Sequence, residues 1–136
     1  MTRDEARARF ASAAVARLAT VRPDGRPHIV PVVFACEDDV LYTGVDRKPK
    51  RTRQLQRLRN VAAEPRVSLL VDHYADEWPE LWWVRADGDA SVVESDAERQ
   101  VAIATLVSKY ERYREEPPDD VIVRVDVRRW RWWSWD

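Results

Sequence analysis

Seven cations crowd one stretch of the chain: Arg47, Lys48, Lys50, Arg51, Arg53, Arg57 and Arg59, in VDRKPKRTRQLQRLRN at 45–60, where Asp46 is the one acid. The whole chain sets 23 Lys+Arg against 24 Asp+Glu, so its other segments are acidic and positive charge gathers at one strand-to-helix junction. A helix N-terminus presents unpaired N–H groups and a partial positive charge. Lys48, Lys50, Arg51 and the Thr52 hydroxyl at such a start make a natural phosphate cradle. A solvated basic helix face is the plainer reading of the same charges. Nucleic acid fits poorly: the aromatic residues lie elsewhere, the pI is near 6.2 and no nucleic-acid module pattern is present.

A second concentration is aromatic. DHYADEWPELWWVRADG at 72–88 holds Tyr74, Trp78, Trp82 and Trp83, and adjacent Trp82 and Trp83 point to opposite faces of a strand. One of the pair enters the interior; the other meets a helix, a partner or a flat ligand. Aromatic packing between subunits is the favoured reading, and a planar heteroaromatic cofactor at a subunit boundary satisfies both. Arg85 is placed to meet a ligand anion or to make an interface salt bridge. His28 and His73 read as ordinary hydrogen-bonded strand residues and Cys36 as a small core residue. One cysteine and two histidines do not make a zinc site, and glycines only at Gly25, Gly44 and Gly88 leave no dinucleotide or P-loop fingerprint. No metal is expected.

Several elements must position these groups. Thr2 and Glu5 form a capping box for a helix to about Ala11. Strands follow at 14–21, 28–36 and 40–44, the first two joined by the turn RPDGRP, and together they read as a meander. Leu55, Leu58 and Ala62 give helical spacing within 47–63, stopped by Pro65. Val67, Leu69 and Val71 alternate as a strand, and 81–94 is a long strand with a bulge or bend at Asp87-Gly88. Ser95 and Glu98 cap a helix with Ile103, Leu106, Val107 and Tyr110 on one face. Pro117-Pro118 ends it, and Val121 to Val127 alternate into a last strand finishing WRWWSWD. The expected fold is one domain over 1–136, a small β-barrel with helices at its rim, whose six strands need a second subunit to cover part of the sheet. No apolar run approaches the roughly 20 residues of a membrane helix. A charged N-terminus and a single cysteine point to the cytoplasm.

The order of elements with TVRPDGRPHIVPVVF, LYTGVDRKPKRTRQLQRLRN and EPRVSLLVDHY resembles the pyridoxamine-phosphate oxidase-like split barrels that bind FMN or F-420. Within them it resembles the flavin/deazaflavin oxidoreductases, described as coenzyme F-420-dependent. The resemblance covers nearly the whole chain and is most specific in K-P-K-R-T-x-x-L at 48–55; the ending WRWWSWD lacks the arginine-rich pattern of true pyridoxamine-phosphate oxidases. It implies a homodimeric, six-stranded antiparallel split β-barrel with about three helices and two sites at the subunit interface. The backbone around Pro31, Val32 and Val33 would line the flat ring, flanked by Thr43 and Gly44. Lys48, Lys50, Arg51 and Thr52 would hold the phosphate or the acidic tail. Trp82 or Trp83, with Trp78 nearby, would come from the second subunit. The implied activity is hydride transfer from reduced deazaflavin to an electron-poor small molecule, which asks for no acid–base dyad. The alternatives are an FMN-dependent oxidoreductase and a non-catalytic flavin- or haem-binding dimer.

Overall fold

The run expected as one strand over 28–36 breaks in two, and that break organises the fold. The computed structural model describes residues 1–44, 51–118 and 121–135, with residues 51–55 by backbone alone. In it β1 (Ala16–Val21) and β2 (Pro27–Val32) form a hairpin, as do β3 (Ala35–Glu37) and β4 (Val40–Gly44). With β5 (Arg66–His73), β6 (Trp82–Val92) and β7 (Ile122–Ser134) they make one antiparallel sheet in the order β2-β1-β5-β6-β7-β4-β3. The sheet therefore has seven strands rather than six. The expected meander is also corrected, because β2 pairs with neither β3 nor β4: β2 and β3 lie at opposite edges of the sheet. Only Val33 and Phe34 separate them in the chain, so the sheet curls into a half-barrel whose two edges meet at that corner.

Four helices accompany the sheet rather than about three: α1 (Arg3–Ser12), α2 (Arg51–Ala63), α3 (Asp96–Lys109) and α4 (Arg112–Glu115). The additional short turn, α4, exists because Tyr113 is buried beside the end of α3. Thr2 and Glu5 close the capping box of α1. Ser95 accepts from the Glu98 N–H at α3, but the Glu98 carboxylate is engaged elsewhere, by the Tyr42 hydroxyl at 2.9 Å and by Arg124. None of the described helices is long and apolar enough to cross a membrane.

The alternation read from the sequence fills the inner face: Leu18, Val67, Leu69, Val71, Val84, Ala86, Val123 and Val125 form one core. Helix α1 enters it with Phe10, whose ring lies 5.1 Å from Phe34 and 5.2 Å from Trp130. Ala102 and Leu106 of α3 build a second core on the other side of β4 and β7 with Tyr42, Val93 and Ile122. The outer face of β3-β4-β7 is thus covered by a helix.

The register of β6 on β7 slips between Asp87 and Gly88, which is the bulge expected there. A Cβ on Gly88 would collide with the Asp126 carbonyl oxygen, so the two backbones approach more closely than any side chain allows. Gly88→Ala should therefore destabilise the fold by about 1–3 kcal/mol. A lower chemical-denaturation midpoint with an unchanged slope checks this.

Candidate functional site

At the corner between β2 and β3 the strand ladder is replaced by side chains. The Val33 carbonyl accepts a hydrogen bond from Thr43 Oγ1 at 2.8 Å. The Phe34 N–H donates to the Tyr110 hydroxyl at 3.1 Å, and the Phe34 carbonyl accepts from Lys109 Nζ at 2.9 Å. Tyr110 Oη also lies 2.9 Å from the Phe34 carbonyl and 2.8 Å from the Ala14 carbonyl, and its single proton serves one of them at a time. Lys109 lies over the Phe34 ring at 3.8 Å. Burial holds the Lys109 amine below its ordinary titration range and pushes the nearby Cys36 thiol up to about 11.

The residues expected to flank a ring at this corner take different positions. Pro31 is exposed, whereas the Val32 side chain is buried in the core and Val33 packs against the second core. Thr43 is buried, with its hydroxyl committed to Val33. Gly44 faces Pro118, whose Cβ would stand 2.9 Å from a Cβ at this position, so the absence of a side chain there admits Pro118.

The outer face of β2-β1-β5-β6 is open among the described residues, with Ile29 and Leu70 exposed on it. Cross-strand pairing sets Pro31, Arg17, Leu70, Arg85 and Arg131 in one row, and Ile29, Ala19, Ser68, Asp87 and Arg129 in the next. Ile29 is 65% exposed and Leu70 37%, which leaves an apolar strip open in the middle of a charged surface. A cleft of about 430 Å³ runs over Ile29, Leu70 and Trp83 between Arg17 and Arg85. A larger one, about 800 Å³, adjoins it over Ser68, Asp87 and Arg129. Arg85 grips Asp87 of its own strand through Nε at 2.9 Å, and Ser68 Oγ donates to the same carboxylate at 2.6 Å. These partners hold the Asp87 carboxyl below the usual carboxylate range against the opposing effect of burial.

Trp82 and Trp83 do take opposite faces. Trp83 stands on the open side near Arg85, and Trp82 packs against the inner core with Arg9 above it at 5.3 Å and His73 stacked at 5.9 Å. Trp78 is exposed beside Trp135, with ring centres 6.1 Å apart. The structure thus unites Pro31, Trp83 and Arg85 on one face and joins Val33 to Thr43 at the corner. Lys48 and Lys50 lie outside the described residues, as do the side chains of Arg51 and Thr52. Sequence reasoning missed Arg17, Ile29 and Leu70, although strict alternation with buried Leu18 and Leu69 places all three outward. It also missed the corner contacts of Tyr110, which span 76 positions.

Helix α2, which follows the basic junction, is anchored by polar contacts. Asn60, fully buried, donates to Thr20 Oγ1 at 3.0 Å and accepts from Gln56 at 2.7 Å. His28 pairs with Thr20 across the β1-β2 hairpin, and its Nδ1 atom is buried without a hydrogen-bond partner. Burial lowers the His28 titration range, with further lowering from the positive charges of Arg22 and Arg57.

The sequence pattern of the family described as pyridoxamine 5'-phosphate oxidase matches residues 2–134. Among solved structures, the conserved hypothetical protein Rv2991 of Mycobacterium tuberculosis is similar at 25% identity and TM-score 0.78, over 98% of this chain and 85% of that one. A heme-binding protein of Mycobacterium smegmatis is 26% identical with TM-score 0.71, over 95% of this chain and 52% of that one. A FAD-binding protein of Mesorhizobium loti shares the fold at 22% identity and TM-score 0.68, over 97% and 92%. No curated protein matches the chain.

Unfolding returns His28 to the ordinary histidine range, so on acidification the unfolded chain takes up a proton that the native one refuses. Stability should fall as pH drops through that range, and His28→Asn should remove this part of the fall. Melting temperatures of both proteins at about pH 7.5 and about pH 5.5 check it: the wild type loses more than the variant.

Proposed function

The chain belongs to the pyridoxamine 5'-phosphate oxidase family, and from that premise we propose that it is a coenzyme F-420-dependent oxidoreductase acting as a homodimer on an electron-poor small molecule. The observation that carries this reading is the start of α2. Its first turn holds no acidic residue, whereas α1 opens with Asp4 and Glu5 and α3 with Asp96 and Glu98. Seven cations accompany that start in the sequence, more than a single phosphate requires. FMN ends at one phosphate; F-420 continues into a tail of glutamyl carboxylates. Lys48, Lys50, Arg51 and Thr52 are assigned to the phosphate, and Arg53, Arg57, Arg59 and Arg85 to the carboxylates.

One observation supports assigning a flat ring to the corner: its Val33 and Phe34 backbone groups are already satisfied from within the chain. A ligand there meets apolar surface rather than unpaired donors, as a heteroaromatic face requires. When bound, a deazaflavin supplies two-electron hydride transfer. The chain's own work is then binding, orientation and exclusion of water around Pro31, Val32 and Val33, with Thr43 and Gly44 alongside. The bare outer face bearing Ile29, Leu70, Trp83 and Arg85 is assigned to the second copy, because an open apolar strip on a sheet calls for a cover. Trp83, the one of the tryptophan pair on the open face, reaches the ring from that copy, with Trp78 nearby. A haem-binding role is the second reading, favoured by the unsatisfied Nδ1 of His28 and the heme-binding relative.

Sedimentation at micromolar concentration should give the mass of two chains; the mass of one would remove the dimer from this reading. Competition titration, followed by tryptophan quenching, should rank F-420 above FMN by about tenfold to hundredfold at low salt. The gap should narrow at high salt, since each exposed charge pair contributes at most about 1 kcal/mol and is screened. Lys50→Ala and Arg51→Ala should each weaken F-420 binding about tenfold to hundredfold without unfolding the protein. FMN binding as tightly as F-420 at low salt would transfer the assignment to the flavin, and haem binding tighter than either would transfer it to the second reading.

A further inference from the structure

We infer that Tyr110 and Lys109, at the end of α3, are positioning residues for the cofactor ring, acting through the Val33–Phe34 corner; this rests on the function proposed above. A corner between two strands that do not pair with each other has no ladder to fix it, and its backbone groups must find partners elsewhere. Here α3 supplies both partners of Phe34. The Tyr110 hydroxyl receives the Phe34 N–H at 3.1 Å, while Lys109 Nζ donates to the Phe34 carbonyl at 2.9 Å. Thr43 fixes the adjoining Val33 carbonyl from β4. Three successive polar groups of the corner are thus set by three side chains, and one of those side chains, Tyr110, also reaches Ala14 ahead of β1.

The arrangement orients the corner as well as satisfying it. Phe34 is fully buried, and its ring meets Phe10 of the inner core and the Lys109 ammonium. Side chain and backbone of one residue are therefore both held, and Lys109 touches each of them. Pro31 and Val32 stand in the ladder with β1, and the Val33 peptide that continues from them takes its direction from that anchorage. Tyr110 in turn is braced edge-on against Tyr113 at 5.8 Å, so its hydroxyl is presented by a packed ring rather than a free one. Neither Tyr110 nor Lys109 is assigned a contact with the ligand. Their effect is on where the ring-lining backbone stands, a displacement of which is felt strongly in a site of fixed geometry.

Tyr110→Phe keeps the ring packing and removes only the hydroxyl; Lys109→Met keeps the stem and removes the ammonium. Ile103→Val, in the same helix and partly buried in the same core but outside the corner contacts, serves as the control for simple loss of helix packing. The ligands are F-420, FMN and a ring-only deazaflavin without phosphate or tail, each titrated at two ionic strengths. Both corner variants should bind F-420 and the ring-only ligand about tenfold more weakly by the same factor, with the salt dependence of F-420 binding unchanged. The control should bind as the wild type does. Unchanged affinity in both corner variants, a loss confined to the tailed ligand, or an equal loss in Ile103→Val would each overturn the inference while leaving F-420 binding by the wild type in place. A wild type that binds none of the three ligands would instead bring down the proposed function, and this inference with it. Should Tyr110→Phe fail to fold, Lys109→Met decides the outcome alone.

Discussion

Two residues join strands that stand at opposite edges of one sheet, and the rest of the molecule follows from that constraint. A link as short as Val33–Phe34 leaves the edges of β2 and β3 no freedom to separate, so seven strands must curl around a common interior. Once curled, the inner face has room for apolar side chains and an aromatic cluster in which Phe10 of α1 meets Phe34 and Trp130. The corner itself cannot be paired as a strand. Its backbone is satisfied by Thr43, Lys109 and Tyr110, which ties β4 and α3 to the seam and draws the second core into place beside it.

That arrangement divides the outer surface unequally. Over β3, β4 and β7 the helix α3 supplies Ala102 and Leu106, and the charges there are consumed internally, Glu98 being shared by Tyr42 and Arg124. Over β2, β1, β5 and β6 Ile29 and Leu70 stay exposed among the described residues. The charged residues bordering them are partly held in strand-bound pairs such as Arg85 with Asp87.

How much of this could be read in advance depended on whether the information was local. Period-two alternation gave the inner core residues of β5 and β7 directly, and the capping box at Thr2 and Glu5 marked the first helix correctly. Asp87-Gly88 announced its bulge because glycine in a strand is costly unless a backbone comes close. The break at Val33–Phe34 was not legible: HIVPVVFAC is continuously apolar, and what interrupts it is a tyrosine 76 positions away. The same blindness turned two hairpins into a meander and seven strands into six. At the site, the basic junction and the paired tryptophans were evident from composition, whereas Arg17, Ile29 and Leu70 acquired meaning only once cross-strand register set them beside Trp83 and Arg85.

The position of β7 in the sheet bears on how the chain reaches this fold. It is the last strand in sequence, yet it lies between β6 and β4 and pairs with both. During synthesis the hairpins β1-β2, β3-β4 and β5-β6 can each form from neighbouring segments, but they remain separate pieces with β4 and β6 presenting open edges. Only when Ile122–Ser134 emerges can those edges be bridged and the half-barrel close. A ribosome stalled before that strand, or a protease that removes it, would leave two adhesive strand edges in place of one continuous sheet. The chain is thus exposed to self-association until β7 is made.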